Sequence, residues 1–313
     1  MKSNLVFYIL FFSTTLIFAQ APVVENVRFE QRTDGSLKVD IYYDLSDSDG
    51  ENKQIVIEAS SDNGATWTLN CASLTGDVGS GVSPGTNKHV EWDFYADNPN
   101  TSGSTFKVRV TAFETGTMTD IDGNVYQTVK IGDQWWMAEN LRVTHYRDGK
   151  DIPHVMYSPD WKNCDIGAYC SYNNSETKAD TYGHLYNWFA VVHECNLAPA
   201  GWHVPTDAEW TTLTTYLGGK SVAGGKLKEA GTTHWTTPNT GATNESGFTA
   251  LPGGYRHCDD GNFIGLGYYA TFWSASEYSS DAAMYRYLSY DYAGRFRSHS
   301  GKCYGYSVRL IRD

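Results

Sequence analysis

The sequence predicts an α+β fold that is rich in β-strands and begins with a β-sandwich. Its 313 residues include 30 glycines, 22 tyrosines and 10 tryptophans, a composition typical of many turns and of strands with aromatic faces. Short runs of alternating apolar residues are separated by turn signals such as Asp34-Gly35 and Asn63-Gly64. Helical spacing is predicted for only two segments, one from Thr206 to about Leu217 and one over 223–230.

Residues 1–21 have the layout of a secretory signal peptide. Lys2 precedes an apolar run from Leu5 to Phe12, and Ala19 and Ala21 offer cleavage sites. The run is too short to span a bilayer, and no later stretch has the roughly 18 apolar residues that a spanning helix needs. We therefore expect an exported protein without a transmembrane segment, either secreted, periplasmic or associated with the cell surface. A buried N-terminal helix is the alternative.

The charge of the chain argues against a nucleic-acid partner. Lysine and arginine number 24 against 36 acidic residues, which gives a net charge of −12. Proteins that bind the phosphate backbone concentrate basic residues, and no basic cluster interrupts the acidic excess. Solubility outside the cell explains this excess more simply than recruitment of cations.

Residues 22–113 are predicted to form an immunoglobulin-like or fibronectin-like β-sandwich. Apolar residues alternate in four segments, with one face apolar, as in a strand whose other face meets water. The segments cover 36–43, 54–60, 89–94 and 105–113. A short linker is expected at 114–119.

The run from Ser60 to Trp67 resembles the Asp-box of sialidases and related proteins. In that motif Asp62 would bind the backbone amides of a turn while Trp67 packs beneath it, so both residues are expected to be structural. A single copy without a propeller repeat gives little support to a glycosidase.

After Thr119 the chain contains a series of motifs rich in glycine and aromatic residues. They include Gly132-Asp133-Gln134-Trp135-Trp136, Tyr182-Gly183-His184-Leu185-Tyr186-Asn187-Trp188, Ala200-Gly201-Trp202-His203-Val204-Pro205-Thr206, Leu251-Pro252-Gly253-Gly254-Tyr255-Arg256 and Gly305-Tyr306-Ser307-Val308-Arg309. In this order they resemble the Fibrobacter succinogenes major paralogous domain, a family of exported bacterial proteins, over residues 117–313. The segment from Val204 to Trp210 and the closing Gly305 to Arg309 are in turn similar to the formylglycine-generating enzyme fold. This resemblance implies a C-type lectin-like domain.

Thr206 and Glu209 have the spacing of a capping box, in which each side chain bonds the other residue's backbone N–H at a helix start. The box accounts for both residue types, so both are expected to be structural. A general acid–base pair made of Asp207 and Glu209 is the functional alternative.

Cysteine usage argues against the copper chemistry of the formylglycine-generating enzyme. That enzyme holds copper through two nearby thiolates, whereas the corresponding stretch from Met284 to Leu310 contains only Cys303. We therefore predict that the protein is not an enzyme and has no required cofactor.

The six cysteines are expected to be structural. A disulfide between Cys164 and Cys170 is the first expectation and one between Cys258 and Cys303 the second. Cys71 and Cys195 have no evident partner.

The remaining candidates point to recognition of an extracellular glycan or protein. Lectin-like modules often bind through their C-terminal half, where aromatic rings and arginines cluster and suit sugars, carboxylates or protein surfaces. The ligand-binding candidates are Trp273, Glu277, Tyr285, Arg286, Tyr287, Arg295, Arg297 and His299. Because Tyr285 and Tyr287 share a face, one set of these side chains could instead belong to the core.

Calcium is a further possibility at Asp120, Asp122 and Asn124, although an Asp-Gly hairpin explains these residues equally well. The alternatives to a binding function are a purely structural surface protein and, least favoured, an enzyme related to the formylglycine-generating oxygenases. The sequence does not determine the oligomeric state.

Overall fold

The computed structural model describes residues 22–48 and 50–313, so the predicted signal peptide lies outside the described residues. Strands dominate, and the helices are short, which agrees with a β-rich fold. The strands are β1 (Val23–Gln31), β2 (Val39–Ser46), β3 (Lys53–Ser60), β4 (Leu74–Gly76), β5 (Gly79–Val82), β6 (Gly85–Trp92), β7 (Lys107–Thr119), β8 (Val125–Ile131), β9 (Gln134–Met137), β10 (Tyr169–Cys170), β11 (Leu185–Tyr186), β12 (Trp202–His203), β13 (Gly253–Arg256), β14 (Phe263–Leu266), β15 (Tyr269–Glu277), β16 (Ala282–Ser289), β17 (Phe296–Gly301) and β18 (Ile311–Arg312). The helices are α1 (Phe94–Asp97), α2 (Ser158–Lys162), α3 (Glu176–Tyr182), α4 (Trp188–Val191), α5 (Asp207–Tyr216) and α6 (Ala223–Leu227). No helix of the described residues is long and apolar enough to cross a membrane.

The N-terminal part of the chain buries one core between two sheets. Strands β1, β2, β6 and β4 form one sheet, and β7, β3 and β5 lie at one end of another. Apolar side chains from both meet, among them Ile41 and Tyr43 from β2, Ile57 from β3 and Trp92 from β6. The alternation read from the sequence therefore arises because each of these strands has one face turned to this core.

A single long strand joins this part to the rest of the molecule. Residues 107–114 of β7 pair with β3, and residues 115–119 of the same strand pair with β8. The seven-stranded sheet consequently runs without a break in the order β12, β18, β9, β8, β7, β3, β5. The expected linker at 114–119 is wrong, because hydrogen bonds to β3 and β8 keep the backbone extended throughout.

The C-terminal part is built around a five-stranded sheet in the order β14, β13, β15, β16, β17. Strand β15 separates two apolar clusters, since Trp273 packs into one and its neighbour Phe272 into the other. The Phe272 side is covered by α5, whose Trp210 and Leu213 are buried there. The opposite side of the sheet holds the candidate site.

Helix α5 begins where the capping box predicts, and it ends at Tyr216, one residue before the predicted Leu217. The Thr206 hydroxyl accepts a hydrogen bond from the Glu209 N–H at 3.3 Å, and the Glu209 carboxylate accepts one from the Thr206 N–H at 2.7 Å. Helix α6 ends at Leu227, earlier than the predicted 230, because Lys228 has extended backbone angles and turns its side chain into the interior. There its ammonium donates to the carbonyls of Thr240, Ser289 and Tyr292.

Arg309 is buried and joins three segments that are distant in the chain. Its guanidinium donates to the Asn140 side chain and to the carbonyls of Met137, Phe248 and Thr249, at 2.6–3.0 Å. The group also stacks on the ring of Phe248 at 4.5 Å. Loss of this side chain would leave buried carbonyls without donors, each at a cost of about 1–3 kcal/mol.

Arg309→Met is expected to lower the free energy of unfolding by about 3 kcal/mol or more, because methionine fills part of the space but donates no hydrogen bond. Arg312→Met is the matched control, since Arg312 is exposed on β18. Urea unfolding of the two variants and the parent measures the difference. Equal stability of both variants would contradict the role given to Arg309.

Candidate functional site

An open groove lies on the face of the five-stranded sheet that is turned away from α5. Its volume is about 470 Å³. Most of its lining is tyrosine, and we call it the tyrosine groove. The lining residues are Tyr255, Tyr269, Thr271, Tyr285, Tyr287, His299, Ser300, Gly301, Tyr304 and Tyr306.

Strand register explains how tyrosines from separate parts of the chain come to lie on the same face. Tyr285 and Tyr287 alternate on β16, so both point to the same face, and Tyr287 pairs with Thr271 on β15. After β17 the chain runs beside the sheet, and in this crossing segment Tyr306 forms a β-bridge with Tyr186. The bridge places a second alternating pair, Tyr304 and Tyr306, next to the first.

The rings form a nearly parallel series rather than isolated contacts. Tyr285 stacks on Tyr306 with centroids 4.7 Å apart and planes 28° apart, and on Tyr287 at 5.8 Å and 20°. Tyr287 continues the series onto Phe296 at 4.3 Å and 9°. Aromatic pairs in such arrangements contribute about 0.5–1.5 kcal/mol beyond their burial, so the packing fixes the rings before any ligand arrives.

The phenol groups are neutral hydrogen-bonding groups at physiological pH. Burial raises the pKa of Tyr255, Tyr285, Tyr287 and Tyr304 above the ordinary value for tyrosine. A neutral phenol both donates and accepts a hydrogen bond. The groove therefore offers aromatic faces together with uncharged polar edges.

A disulfide between Cys258 and Cys303 fixes one end of the groove. It joins the loop after β13 to the segment after β17, with Cα atoms 5.2 Å apart, and it lies beside Gly301 of the lining. This is the second of the two disulfide expectations, and it is confirmed.

The expected Cys164–Cys170 disulfide is wrong, because both side chains are free thiols. Cys170 on β10 points into an apolar cluster, where burial raises its pKa to about 12. The Cys164 thiol instead approaches the carbonyl of Ile166 at 3.3 Å. Cys71 and Cys195 are also free.

Replacing both bridged cysteines by serine, as Cys258→Ser with Cys303→Ser, is expected to lower the free energy of unfolding by about 4 kcal/mol, since the bridge closes a long loop in the unfolded chain. The sequence separation is 45 residues. Cys164→Ser, which breaks no bridge, is the control in urea unfolding. If the double variant is as stable as the parent, the bridge is not formed. The same conclusion would follow if all six cysteines of the unfolded parent were free thiols.

The structure separates the eight ligand-binding candidates into groups. Tyr285 and Tyr287 line the tyrosine groove. His299 borders it, but its ring stacks on Tyr278 with centroids 3.8 Å apart. Glu277 is exposed and pairs with Lys302.

Trp273 is not available to a ligand, in contrast to the sequence-based expectation. Its side chain is fully buried beneath the groove, packs on Tyr306 at 4.5 Å, and donates from its ring N–H to the carbonyl of Tyr186 at 2.8 Å. It shares the face of Tyr285, its partner across the strands, but the crossing segment that carries Tyr306 covers it. Trp273 is therefore a core residue that supports the groove.

The three arginine candidates lie on the opposite face of the sheet, next to α5. Arg286 is buried and reaches the Asp207 carboxylate at 2.7 Å. Arg297 contacts the same carboxylate at 2.9 Å, and Arg295 donates to the Thr214 hydroxyl at 3.1 Å. Strand alternation explains the separation, since Arg286 lies between Tyr285 and Tyr287 on β16.

Asp207 is held ionised by this pairing. Burial would raise the pKa of its carboxyl group, but hydrogen bonds from Arg297 and Arg286 outweigh burial and lower the pKa below the ordinary value. A carboxylate that is ionised near neutral pH and bound by two arginines is poorly suited to general acid or base work. Glu209 is equally unsuited to this work, because burial raises the pKa of its carboxyl group but hydrogen bonds from Thr206 and His203 outweigh this effect and lower the pKa.

Asp207→Asn is expected to lower the free energy of unfolding by about 3 kcal/mol near neutral pH, because Arg286 stays buried without its charge partner. A depressed pKa means that this stabilisation is present above the unfolded-state pKa and is lost as pH falls. The difference between parent and variant should therefore shrink below about pH 4. Urea unfolding across this pH range measures it, with Asp133→Asn in an exposed turn as the control. A difference that is independent of pH would contradict the ion pair.

The calcium candidates are occupied by donors from the protein. The Asp120 carboxylate accepts from the N–H groups of Asp122 and Asn124, from the Asn124 side chain and from the Tyr126 hydroxyl. Asp122 accepts from Thr144 and contacts His145. No group of three or more His, Cys, Asp or Glu side chains within 22–48 and 50–313 is arranged to hold a metal ion.

Asp62 and Trp67 occupy the turn that the Asp-box resemblance indicates. The Asp62 carboxylate accepts from the Thr66 N–H at 2.8 Å and from the Thr66 hydroxyl at 2.7 Å. Trp67 lies under the guanidinium of Arg109, 4.4 Å from its ring centre. Asp62 therefore stabilises this turn, and both residues lie far along the chain from the tyrosine groove.

Sequence reasoning missed four tyrosines of the groove, namely Tyr255, Tyr269, Tyr304 and Tyr306. The alternation of Tyr304 and Tyr306 repeats that of Tyr285 and Tyr287 and was a usable signal. The pairing that brings the two segments together depends on tertiary contacts, which alternation alone does not reveal.

A family model described as the Fibrobacter succinogenes major domain matches residues 129–312. This range contains every residue that lines the tyrosine groove. No curated protein and no solved structure matches the chain.

Proposed function

We propose that this chain, which belongs to the Fibrobacter succinogenes major domain family, is an exported, non-catalytic protein that binds a glycan at the bacterial surface. The observation that supports this function best is the tyrosine groove. Its lining combines stacked aromatic rings with neutral hydroxyl groups on one open face. A sugar ring has the matching character, since its C–H faces are apolar and its hydroxyl groups lie around its edge.

The chemistry of the lining favours binding of a neutral sugar. Tyrosine offers a large apolar area with few rotatable bonds and a polar tip, so contact costs little side-chain entropy. The phenols of Tyr285, Tyr287 and Tyr304 stay protonated, because burial raises their pKa. They can donate to and accept from sugar hydroxyls without attracting counterions.

Rigidity of the groove supports recognition without a large ordering cost. Tyr255, Tyr269, Tyr285 and Tyr287 come from hydrogen-bonded strands, Trp273 packs beneath the groove, and the Cys258–Cys303 bridge closes one end. A site ordered before binding loses less conformational entropy when the ligand arrives.

The same lining is poor in groups for catalysis. Among the described residues that border the groove there is no carboxylate, thiol or amine, and the His299 ring is stacked on Tyr278. Glycoside hydrolysis commonly uses two carboxyl groups across the scissile bond. A binding role therefore accounts for the groove better than an enzymatic one.

The two parts of the chain would have separate roles in binding. Residues 22–113, with two sheets over one core, would serve as an immunoglobulin-like spacer, and residues 117–313 as a C-type lectin-like domain. Export through residues 1–21 would place the groove outside the cytoplasm, where glycans of the cell surface or the surroundings are accessible.

A glycan array probed with the full chain tests the function, followed by titration of the best ligand. Tyr285→Ala and Tyr287→Ala are each expected to weaken binding by about tenfold, because each removes a stacking face and a hydroxyl. Tyr285→Phe and Tyr287→Phe keep the ring and should lose less.

Tyr95→Ala is the control, since Tyr95 is an exposed tyrosine on α1 in the N-terminal part. Its binding should equal that of the parent. The proposal fails if folded parent protein binds no glycan on the array. It fails equally if binding survives both alanine substitutions unchanged.

A further inference from the structure

The face of the sheet opposite the tyrosine groove carries three arginines close together, which we call the arginine cluster. Its members are Arg286 on β16, Arg297 on β17 and Arg295 just before β17. Arg286 and Arg297 are direct partners across the two strands, and Arg295 is two residues from Arg297, so all three share one face.

Positive charge in this cluster exceeds the negative charge that faces it. Arg286 and Arg297 share the single carboxylate of Asp207, at 2.7 and 2.9 Å. Within the described ranges no carboxylate is in ion-pair distance of Arg295, whose guanidinium nitrogen donates to the neutral Thr214 hydroxyl. Three guanidinium groups therefore face one carboxylate, in a chain whose net charge is −12.

The arginines also destabilise one another. Burial lowers the pKa of Arg286 and Arg295, and the neighbouring guanidinium charges lower it further. Arg286 is nearly inaccessible, and its Nε has no hydrogen-bond partner in the described part of the chain. Arg297, in contrast, is half exposed. An anion beside Arg295 and Arg297 would offset this repulsion, and arginine forks match the oxygens of carboxylate and sulfate groups.

We propose that Arg295 and Arg297, with Arg286 beneath them, bind the carboxylate or sulfate groups of an acidic polysaccharide. Asp207 holds two of the guanidiniums in place while leaving a surplus of positive charge. Electrostatic contacts of this kind are screened by salt, so binding should weaken as ionic strength rises.

The place of the cluster favours a polysaccharide that also uses the tyrosine groove. Strand β17 is the edge of its sheet. Its Ser300 and Gly301 border the groove, whereas Arg297 lies on the other face. A chain ligand that passes over this edge would contact rings on one side and guanidiniums on the other. The inference thus rests on the proposed function and adds the substrate class, a glycan with neutral sugar faces for the groove and acidic groups for the arginines.

Retention of the full chain on immobilised dextran sulfate, carboxymethyl dextran and unmodified dextran tests the inference. These polymers share one backbone and differ in the anionic group. The parent is expected to be retained on one or both anionic polymers at low salt, in spite of its own negative charge.

Arg295→Gln is the main variant, because Arg295 has no ion pair to lose and the substitution leaves the Asp207 pairs intact. Its affinity for the anionic polymer should fall by about tenfold, and the Arg295→Gln, Arg297→Gln double variant should fall further. Lys107→Gln removes one exposed cation from the start of β7 and should leave retention unchanged. Thermal unfolding of each variant verifies the fold.

The outcomes separate the two proposals. A parent that is not retained on either anionic polymer overturns the arginine site, as does equal loss in Lys107→Gln and Arg295→Gln. If Tyr285→Ala abolishes glycan binding while Arg295→Gln changes nothing, the groove stands and the arginine site is wrong. If Arg295→Gln loses polymer binding while both tyrosine variants bind array glycans normally, the arginine site stands and the groove proposal is wrong.

Discussion

Buried cationic side chains that hydrogen-bond backbone carbonyls hold the loops of the C-terminal part in place. Arg309 binds carbonyls from two segments, and Arg256 donates to those of Gly261, Val155 and Met156 while stacking on Trp161. Lys228 does the same for three further carbonyls. These bonds satisfy carbonyls in loops and at strand ends, each at a net gain of about 1.5–3 kcal/mol for a charged donor. Long loops can therefore be as well fixed as strands.

The position of the tyrosine groove depends on these bonds. Arg256 follows Tyr255 on β13, and its backbone also pairs with Gly305, which lies between Tyr304 and Tyr306. The guanidinium that anchors the loops thus sits beside the point where the crossing segment meets the sheet. Aromatic stacking then orders the rings, and the disulfide between Cys258 and Cys303 closes the end. The result is a fixed surface of rings and neutral hydroxyls, the kind of surface that recognises a ligand without chemical change.

Local features of the sequence predict local structure well, and tertiary arrangements poorly. The capping box of Thr206 and Glu209 defines α5 because both partners lie within one turn. Alternation correctly puts Tyr285 and Tyr287 on one face, but it does not reveal which face is covered, so Trp273 was assigned to the ligand instead of the core. Close spacing suggested Cys164 with Cys170, although strand pairing turns Cys170 inward. The linker prediction is wrong for the same reason, since β7 pairs with β3, which precedes it in the sequence, and with β8, which follows it.

A crystal structure of the full chain with a bound oligosaccharide would show whether the tyrosine groove is the ligand site. We expect a sugar ring stacked against Tyr285 or Tyr287, with its hydroxyls bonded to the phenols of the lining and the tyrosine rings unmoved from their present arrangement. A sugar bound elsewhere on the molecule, with the groove empty, would contradict it.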